Sequence, residues 1–245
     1  MASKARLDVL LVSRGLAKSR GEAQRLVLAG RVRIGDRVAR KSSESVAPDA
    51  SLAVGERPRF VSRGGEKLAG ALDALGLDVC GRTAIDVGAS TGGFTDCLLS
   101  RGARRVYALD VGYGQLDWRL RQDPRVVVIE RQNVRALSAS TVPEAVQLAV
   151  VDVSFISLGL VLPTIRRLLA PAADVVALVK PQFEVGKGRV GKGGVVRDPA
   201  LHSEAVDVVR TAASRLGLVE RGFVESPLRG ASGNREFFLH WTAPG

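Results

Sequence analysis

Four residues, scattered along 245 positions, carry side chains that together could handle a weakly acidic hydroxyl: Lys67 in GGEKL, Asp152 closing VQLAVVD, Lys180 closing ALVK, and Glu236 in NREFF. An amine can take up a hydroxyl proton or stabilise the oxyanion left behind, and carboxylates can orient such amines and balance their charge. Taken singly, each has a plainer explanation. Most Lys and Glu residues are solvated, and Asp152 could cap a following helix. Asp152 and Lys180 stand out because both end apolar runs of strand length.

Elements that could bring them together begin near residue 83. TAIDVG, RVYALD, VVVIE, LAVVDV and VVALVK are short apolar segments separated by amphipathic stretches, among them a helix expected over 94–101. Such alternation predicts an α/β domain with a mostly parallel sheet covered by helices on both faces. Ligands of these sheets bind at the carboxyl ends of the strands, near the topological switch point. The residues expected there are Asp86-Val-Gly-Ala-Ser-Thr-Gly-Gly-Phe94, then Asp110, Asn133 and Asp152. A glycine-rich turn lets a ligand approach the main chain, and an acid about twenty residues later can accept ribose hydroxyls. Gly88-Ala-Ser-Thr-Gly92-Gly93 lacks the second glycine of the dinucleotide fingerprint, and a tight strand-to-helix turn is its plainer reading.

The spacing resembles motif I of the S-adenosylmethionine-dependent methyltransferases. That resemblance implies a Rossmann-like methyltransferase fold with S-adenosylmethionine as cofactor. Gly88, Ser90 and Gly92 would then make room for the methionine end, within a turn that also contributes Asp86, Thr91, Gly93 and Phe94. Asp110 would hold the ribose, Asn133 would lie at the adenine, and Asp152 would border the cofactor.

The sequence has no Asn/Asp-Pro-Pro-Tyr to orient an exocyclic amine and no Pro-Cys to attack a pyrimidine ring. Oxygen is the remaining common methyl acceptor. In chain order, Lys67, Asp152, Lys180 and Glu236 resemble the Lys-Asp-Lys-Glu set of FtsJ-type 2'-O-ribose methyltransferases. With SRGGEKL, DVGASTGGFTD, DVSFISL, KPQFE and GKGGVVRDP, the likeness covers almost the whole chain and resembles the TlyA (hemolysin A) family of ribosomal RNA cytidine 2'-O-methyltransferases. It implies that Lys180 assists deprotonation of a 2'-hydroxyl during in-line transfer. The small or large ribosomal subunit would be the partner.

The first sixty residues differ in character. Leu7, Leu10 and Leu11 form a short helical stripe, Ser19-x-x-Glu22 is a capping box, and RVRIGDRV alternates around a Gly35-Asp36 turn. Arg6, Arg20, Arg25, Arg31, Arg33, Arg37 and Arg40 decorate these elements. RLDVLLVSRGLAKSRGEAQRLVLAGRVRIGDRVARK resembles the small RNA-binding domain named after ribosomal protein S4. We expect that domain over 1–58, a linker over 59–63, and the methyltransferase domain over 64–245.

Charge supports RNA as partner. The net charge is +11, and residues 1–62 hold 13 Lys+Arg against 6 Asp+Glu. A solvated basic surface is the alternative. Cys80 and Cys97 lack disulfide or metal-site spacing, and no signal peptide is visible, so the expected location is cytoplasmic. The apolar stretch 148–165 contains Asp152, Gly159 and Pro163 and reads as strand, turn and helix rather than a membrane span. A membrane-active hemolysin and a non-catalytic ribosome-assembly factor are the rival functions.

GKGRVGKGGVVR, residues 186–197, imitates a phosphate-binding loop but lacks Ser or Thr after Lys192. Lys187, Arg189, Lys192 and Arg197 are expected instead to grip RNA phosphates from a flexible loop, and a mobile surface loop is the plainer reading.

Overall fold

The computed structural model describes residues 4–35, 37–55, 59–137, 140–186, 188–230 and 232–245. The chain divides into two compact units, Met1–Arg59 and Phe60–Gly245.

In the first unit, β1 (Ala5–Arg6) pairs antiparallel with β4 (Ser45–Val46) beside helices α1 (Leu7–Ser13) and α2 (Arg20–Leu28). A second antiparallel sheet has the order β3 (Arg37–Val38), β2 (Val32–Ile34), β5 (Leu52–Val54). Leu7, Leu11, Ala23, Val27 and Val32 form the core. Asp36 of the expected hairpin turn lies outside the described residues. Ser19 caps α2 by accepting from the Glu22 N–H at 3.2 Å. Glu22 reaches back one residue further than in the usual reciprocal box and accepts from the Lys18 N–H at 2.6 Å.

Several arginines expected to meet RNA also have internal partners. Asp8 is fully buried. It accepts two hydrogen bonds from Arg6, at 3.0 and 2.9 Å, and one each from Arg20 and Gln24, both at 3.3 Å. Arg37 pairs with Glu44 at 2.8 Å, and Arg31 donates twice to the Gly55 carbonyl. These guanidinium groups hold the unit together as well as carrying its charge. Arg25 and Arg40 have no ion-pair partner among the described residues.

The second unit begins with α3 (Arg63–Leu75), a helix not anticipated from the sequence, with Leu68 and Leu72 fully buried. The chain continues through β6 (Thr83–Val87), α4 (Gly93–Ser100), β7 (Arg105–Leu109), α5 (Trp118–Arg121) and β8 (Val126–Ile129). It then forms β9 (Val146–Val151), α6 (Leu162–Leu168), β10 (Leu169–Val179), α7 (Pro181–Glu184), α8 (Pro199–Arg215), β11 (Val219–Glu225) and β12 (Phe237–Thr242). The sheet order is β11-β12-β10-β9-β6-β7-β8, and β12 runs antiparallel to both its neighbours. The expected Rossmann-like architecture is therefore present.

Alternate residues of each strand enter opposite cores. Ile85, Tyr107, Val151 and Trp241 pack on one face, and Ala84, Val106, Leu148 and Phe238 on the other. Burial on both sides is why the strands read as unbroken apolar runs. From β6 the chain builds outward through β7 and β8, then returns to add β9 on the other side. That reversal opens a crevice at the carboxyl ends of β6 and β9. The apolar stretch 148–165 forms the end of β9, a loop, a 3-10 turn over Leu158–Leu160 and the start of α6. Among the described residues no helix is long and apolar enough to cross a membrane.

The first unit should respond to acid through Asp8 and Glu44. Hydrogen bonds from Arg6 hold the Asp8 carboxyl well below the carboxylate range against the opposing cost of burial. Arg37 and the Lys41 and Arg40 N–H groups hold Glu44 down to about 2. Depressed carboxyl groups stabilise the fold above their unfolded values and lose that contribution as pH falls. Asp8→Ala should cost roughly 3 kcal/mol at neutral pH, and progressively less as pH drops below the ordinary carboxylate range. Thermal melts across pH check this, and a cost independent of pH would contradict it.

Candidate active site

Gly88 follows β6 with φ 90°, and a Cβ there would collide with the Asp152 carbonyl at the end of β9. The Asp152 N–H in turn donates to the Val87 carbonyl at 2.9 Å. Glycine at 88 is thus dictated by the approach of two main chains at the switch point. Gly92, with φ 96°, faces Leu116 and Leu120, while Gly93 faces Ser62 and the main chain of Gly65. Protein neighbours alone thus forbid a side chain at Gly88 and Gly92, and Gly88 also lines both cavities described below.

Asp86 lies beneath the turn rather than on a cavity wall. It is fully buried and lines neither cavity described below. Its Oδ2 accepts from the Thr95 N–H at 2.9 Å and the Thr95 hydroxyl at 2.7 Å, which ties β6 to α4. Oδ1 has no hydrogen-bond partner among the described residues. Phe94 is buried too, and its ring centroid lies 6.1 Å from that of Phe238.

Lys67, Asp152, Lys180 and Glu236 come from α3, the end of β9, the end of β10 and the approach to β12, and all line one cavity of ≈ 670 Å³. Lys67 Nζ donates to Glu236 Oε2 at 2.6 Å in a buried pair. Lys180 Nζ lies 2.6 Å from Asp152 Oδ1, an ion pair whose alignment is not that of a hydrogen bond. The directed bond of Lys180 goes to Ser154 Oγ, at 2.9 Å. Each ammonium group therefore has its own carboxylate. Truncating one member would strand an opposite, largely buried charge. Thr91, Gly93 and Phe94 line the same cavity.

A second cavity, of ≈ 490 Å³, shares Gly88, Ser90, Asp152 and Ser154 with the first. Val87, Leu109, Val111, Val134 and Ile156 supply apolar wall, and Asp110, Gln115, Gln132 and Asn133 supply polar groups. Asp110 accepts from the Ser90 N–H at 2.7 Å and the Gly112 N–H at 2.6 Å, so it shapes the glycine turn. A carboxylate has further lone pairs to offer a ribose. Asn133 accepts from the Arg135 N–H at 3.0 Å and borders the cavity. The lining contains two carboxylates and no Lys or Arg among the described residues. That chemistry repels a pyrophosphate and suits a phosphate-free, cationic nucleoside, so the residues fit S-adenosylmethionine.

The loop after α7 is not a nucleotide cradle. It follows a helix rather than a strand, and Gly193 and Gly194 both have positive φ where a phosphate loop would start its helix. Arg189 is exposed and engaged with Glu204 of α8 in a bidentate ion pair. Lys187 lies outside the described residues. Lys192 and Arg197 are exposed. The far end of the loop is pinned, because buried Asn234 accepts from the Val196 N–H at 2.9 Å and donates to the Gly194 carbonyl at 2.8 Å.

Three residues had escaped assignment. Ser154 borders both cavities, Phe155 stands 91% exposed on the cavity wall with φ 64°, and Glu184 braces the loop between them. The Phe155 and Phe183 ring centroids are 5.1 Å apart. The strings DVSFISL and KPQFE contain all three, but nothing in a string distinguishes an exposed loop phenylalanine from a core one.

Burial pushes the Asp86 carboxyl up to about 7, against the Thr95 hydroxyl and with help from Asp152. A raised carboxyl favours the folded state while it stays protonated, and that contribution is lost as pH rises through the folded value. Asp86→Asn keeps an acceptor for Thr95 and does not titrate, so its stability relative to wild type should rise by roughly 4 kcal/mol as pH goes from about 4 to about 7. Denaturant titrations at several pH values check this, and a constant difference would count against it.

Comparison with known proteins agrees with this geometry. The FtsJ-like methyltransferase model matches residues 60–243, and the S4 domain model matches residues 5–51. The 16S/23S rRNA (cytidine-2'-O)-methyltransferase TlyA of Mycobacterium tuberculosis is 53% identical, over 98% of this chain and 90% of its own. Hemolysin A of Brachyspira hyodysenteriae is 39% identical, over 96% and 99%. A solved structure from Streptococcus thermophilus superposes with a TM-score of 0.77 at 42% identity, covering 100% of this chain and 90% of that one. The N-methyltransferase NodS of Bradyrhizobium japonicum, solved with S-adenosyl-l-homocysteine, shares the fold alone, at 15% identity and a TM-score of 0.52 over 75% and 86%. The chain belongs to the FtsJ-like methyltransferases, in the TlyA (hemolysin A) family, with an S4 domain ahead of its methyltransferase domain.

Proposed function

We propose that this enzyme methylates the ribose 2'-hydroxyl of cytidine in ribosomal RNA, within ribosomal subunits in the cytoplasm, using S-adenosylmethionine. The observation that carries the reading is the shared wall of the two cavities. Lys67, Asp152, Lys180 and Glu236 line one, and the apolar, doubly acidic nucleoside site adjoins it through Gly88, Ser90, Asp152 and Ser154. The name of the Mycobacterium tuberculosis relative supports the substrate and the acceptor atom.

Bound in the second cavity, the cofactor supplies an electrophilic methyl group. Asp110 and Asn133 would hold its ribose and adenine. In the first cavity Lys180 would meet the incoming 2'-oxygen: its ammonium form stabilises negative charge there, and its free-amine form, reached by loss of one ammonium proton to solvent, takes up the hydroxyl proton as the oxygen–methyl bond forms. Asp152 keeps the Lys180 ammonium aimed along the wall, and the buried Lys67–Glu236 pair fixes the opposite side. Holding a poor nucleophile in line with the methyl group is itself a large part of the acceleration.

Phe155 lines the second cavity beside the shared wall and its ring meets that of Phe183 on the first; its exposed face is where the base of the acceptor nucleotide would stack. Arginines of the S4 domain, with Lys192 and Arg197, would hold structured RNA through phosphate and shape contacts.

Lys180→Ala should lower methyl transfer to ribosomal subunits by about a hundredfold or more, while calorimetric affinity for S-adenosylmethionine changes little. Transfer at the wild-type rate would contradict the role given to Lys180.

A further inference from the structure

We propose that Glu184 is a positioning residue for the acceptor nucleotide, locking the loop 152–158 against α7 so that Phe155 stays presented at the rim of the second cavity, against Phe183 of the first. This rests on the function proposed above and extends it to a residue outside the set of four.

Glu184 closes the helical turn that Lys180 precedes. Its Oε2 accepts from the Ser157 hydroxyl at 2.6 Å, and its Oε1 accepts from the Leu158 N–H at 2.9 Å. It has no ion-pair partner among the described residues, and burial raises its carboxyl above the ordinary range against these two bonds. A carboxylate that gives up hydration for two neutral donors is a directional brace rather than a solvated charge. Ser157 passes the restraint on by accepting from the Gly159 N–H at 3.2 Å.

The other end of the loop is held by the Asp152 N–H on Val87 and by Lys180 on Ser154. Between these anchors Phe155 has φ 64°, a conformation that bulky residues rarely adopt and that persists only where both flanks are held. Releasing the Glu184 end lets Phe155 relax to negative φ and turn its ring from the rim. The side chain of Glu184 therefore acts on RNA through Phe155, although it faces the protein interior.

A double-mutant cycle with the full-length enzyme tests this, using tritiated S-adenosylmethionine and ribosomal subunits. Glu184→Ala should raise KM for the subunits about tenfold, with kcat and cofactor affinity within about threefold of wild type. Glu184→Gln, which keeps an acceptor for Leu158, should restore most of the loss. In a Phe155→Ala background, Glu184→Ala should add nothing. If Glu184→Ala gives no cooperative melt, Ser157→Ala replaces it, with a smaller rise that also vanishes without Phe155. Additive effects in the two backgrounds, or a parallel loss of cofactor affinity, would overturn the proposal. Wild-type enzyme that fails to methylate either subunit would defeat the functional reading itself, whereas an additive cycle with active wild type defeats only the role of Glu184.

Discussion

Two largely buried ammonium groups line one cavity, and each keeps a carboxylate within contact distance. Lys67 finds Glu236 at 2.6 Å and Lys180 finds Asp152 at 2.6 Å, partners separated by 169 and 28 positions along the chain. Satisfying both pairs requires α3 packed beside the switch point, β9 and β10 adjacent and parallel, and β12 inserted antiparallel between β10 and β11. The parallel strands place Asp152 and Lys180 side by side at one edge. The reversed strand β12 brings Glu236 to that same edge from its amino end. The topology of the second unit is thus the geometry its charges need.

A second constraint sits next to the first. Gly88 allows β6 and β9 to approach at their carboxyl ends, and Asp110 grips the turn above by its main chain. The turn resembles a cofactor motif because it must be tight before it can face a ligand. Around it stands an apolar wall with two carboxylates and no cation among the described residues, and the proposed preference for a sulfonium nucleoside over a dinucleotide rests on that wall more than on the glycines.

Much of this was legible in the residues. Strands buried on both faces leave apolar runs, so β6 to β10 could be read directly, and the polar residue ending each run marked the ligand edge. Helix α3 was not read, because SRGGEKL begins with glycines that argue for a loop. Those glycines are there because Phe60 and Phe94 pack against them. The sequence also cannot tell which cations are already engaged. Arg6 and Arg20 close on buried Asp8 and Arg189 closes on Glu204, so part of the charge in a basic string is shared with carboxylates of the fold. Phe155 and Glu184 were invisible for a related reason: a strained backbone and its brace are properties of two segments 29 positions apart, readable only once they meet.

The central claim is that the set of four acts on a ribose oxygen. Its most direct test is to incubate the enzyme with separated ribosomal subunits and S-adenosylmethionine, then locate the new methyl group by ribose-methylation-sensitive cleavage of the RNA. The account predicts protection at a cytidine 2'-oxygen that is absent when Lys180→Ala enzyme is used. A methyl group on a base, or no transfer to either subunit, would contradict it.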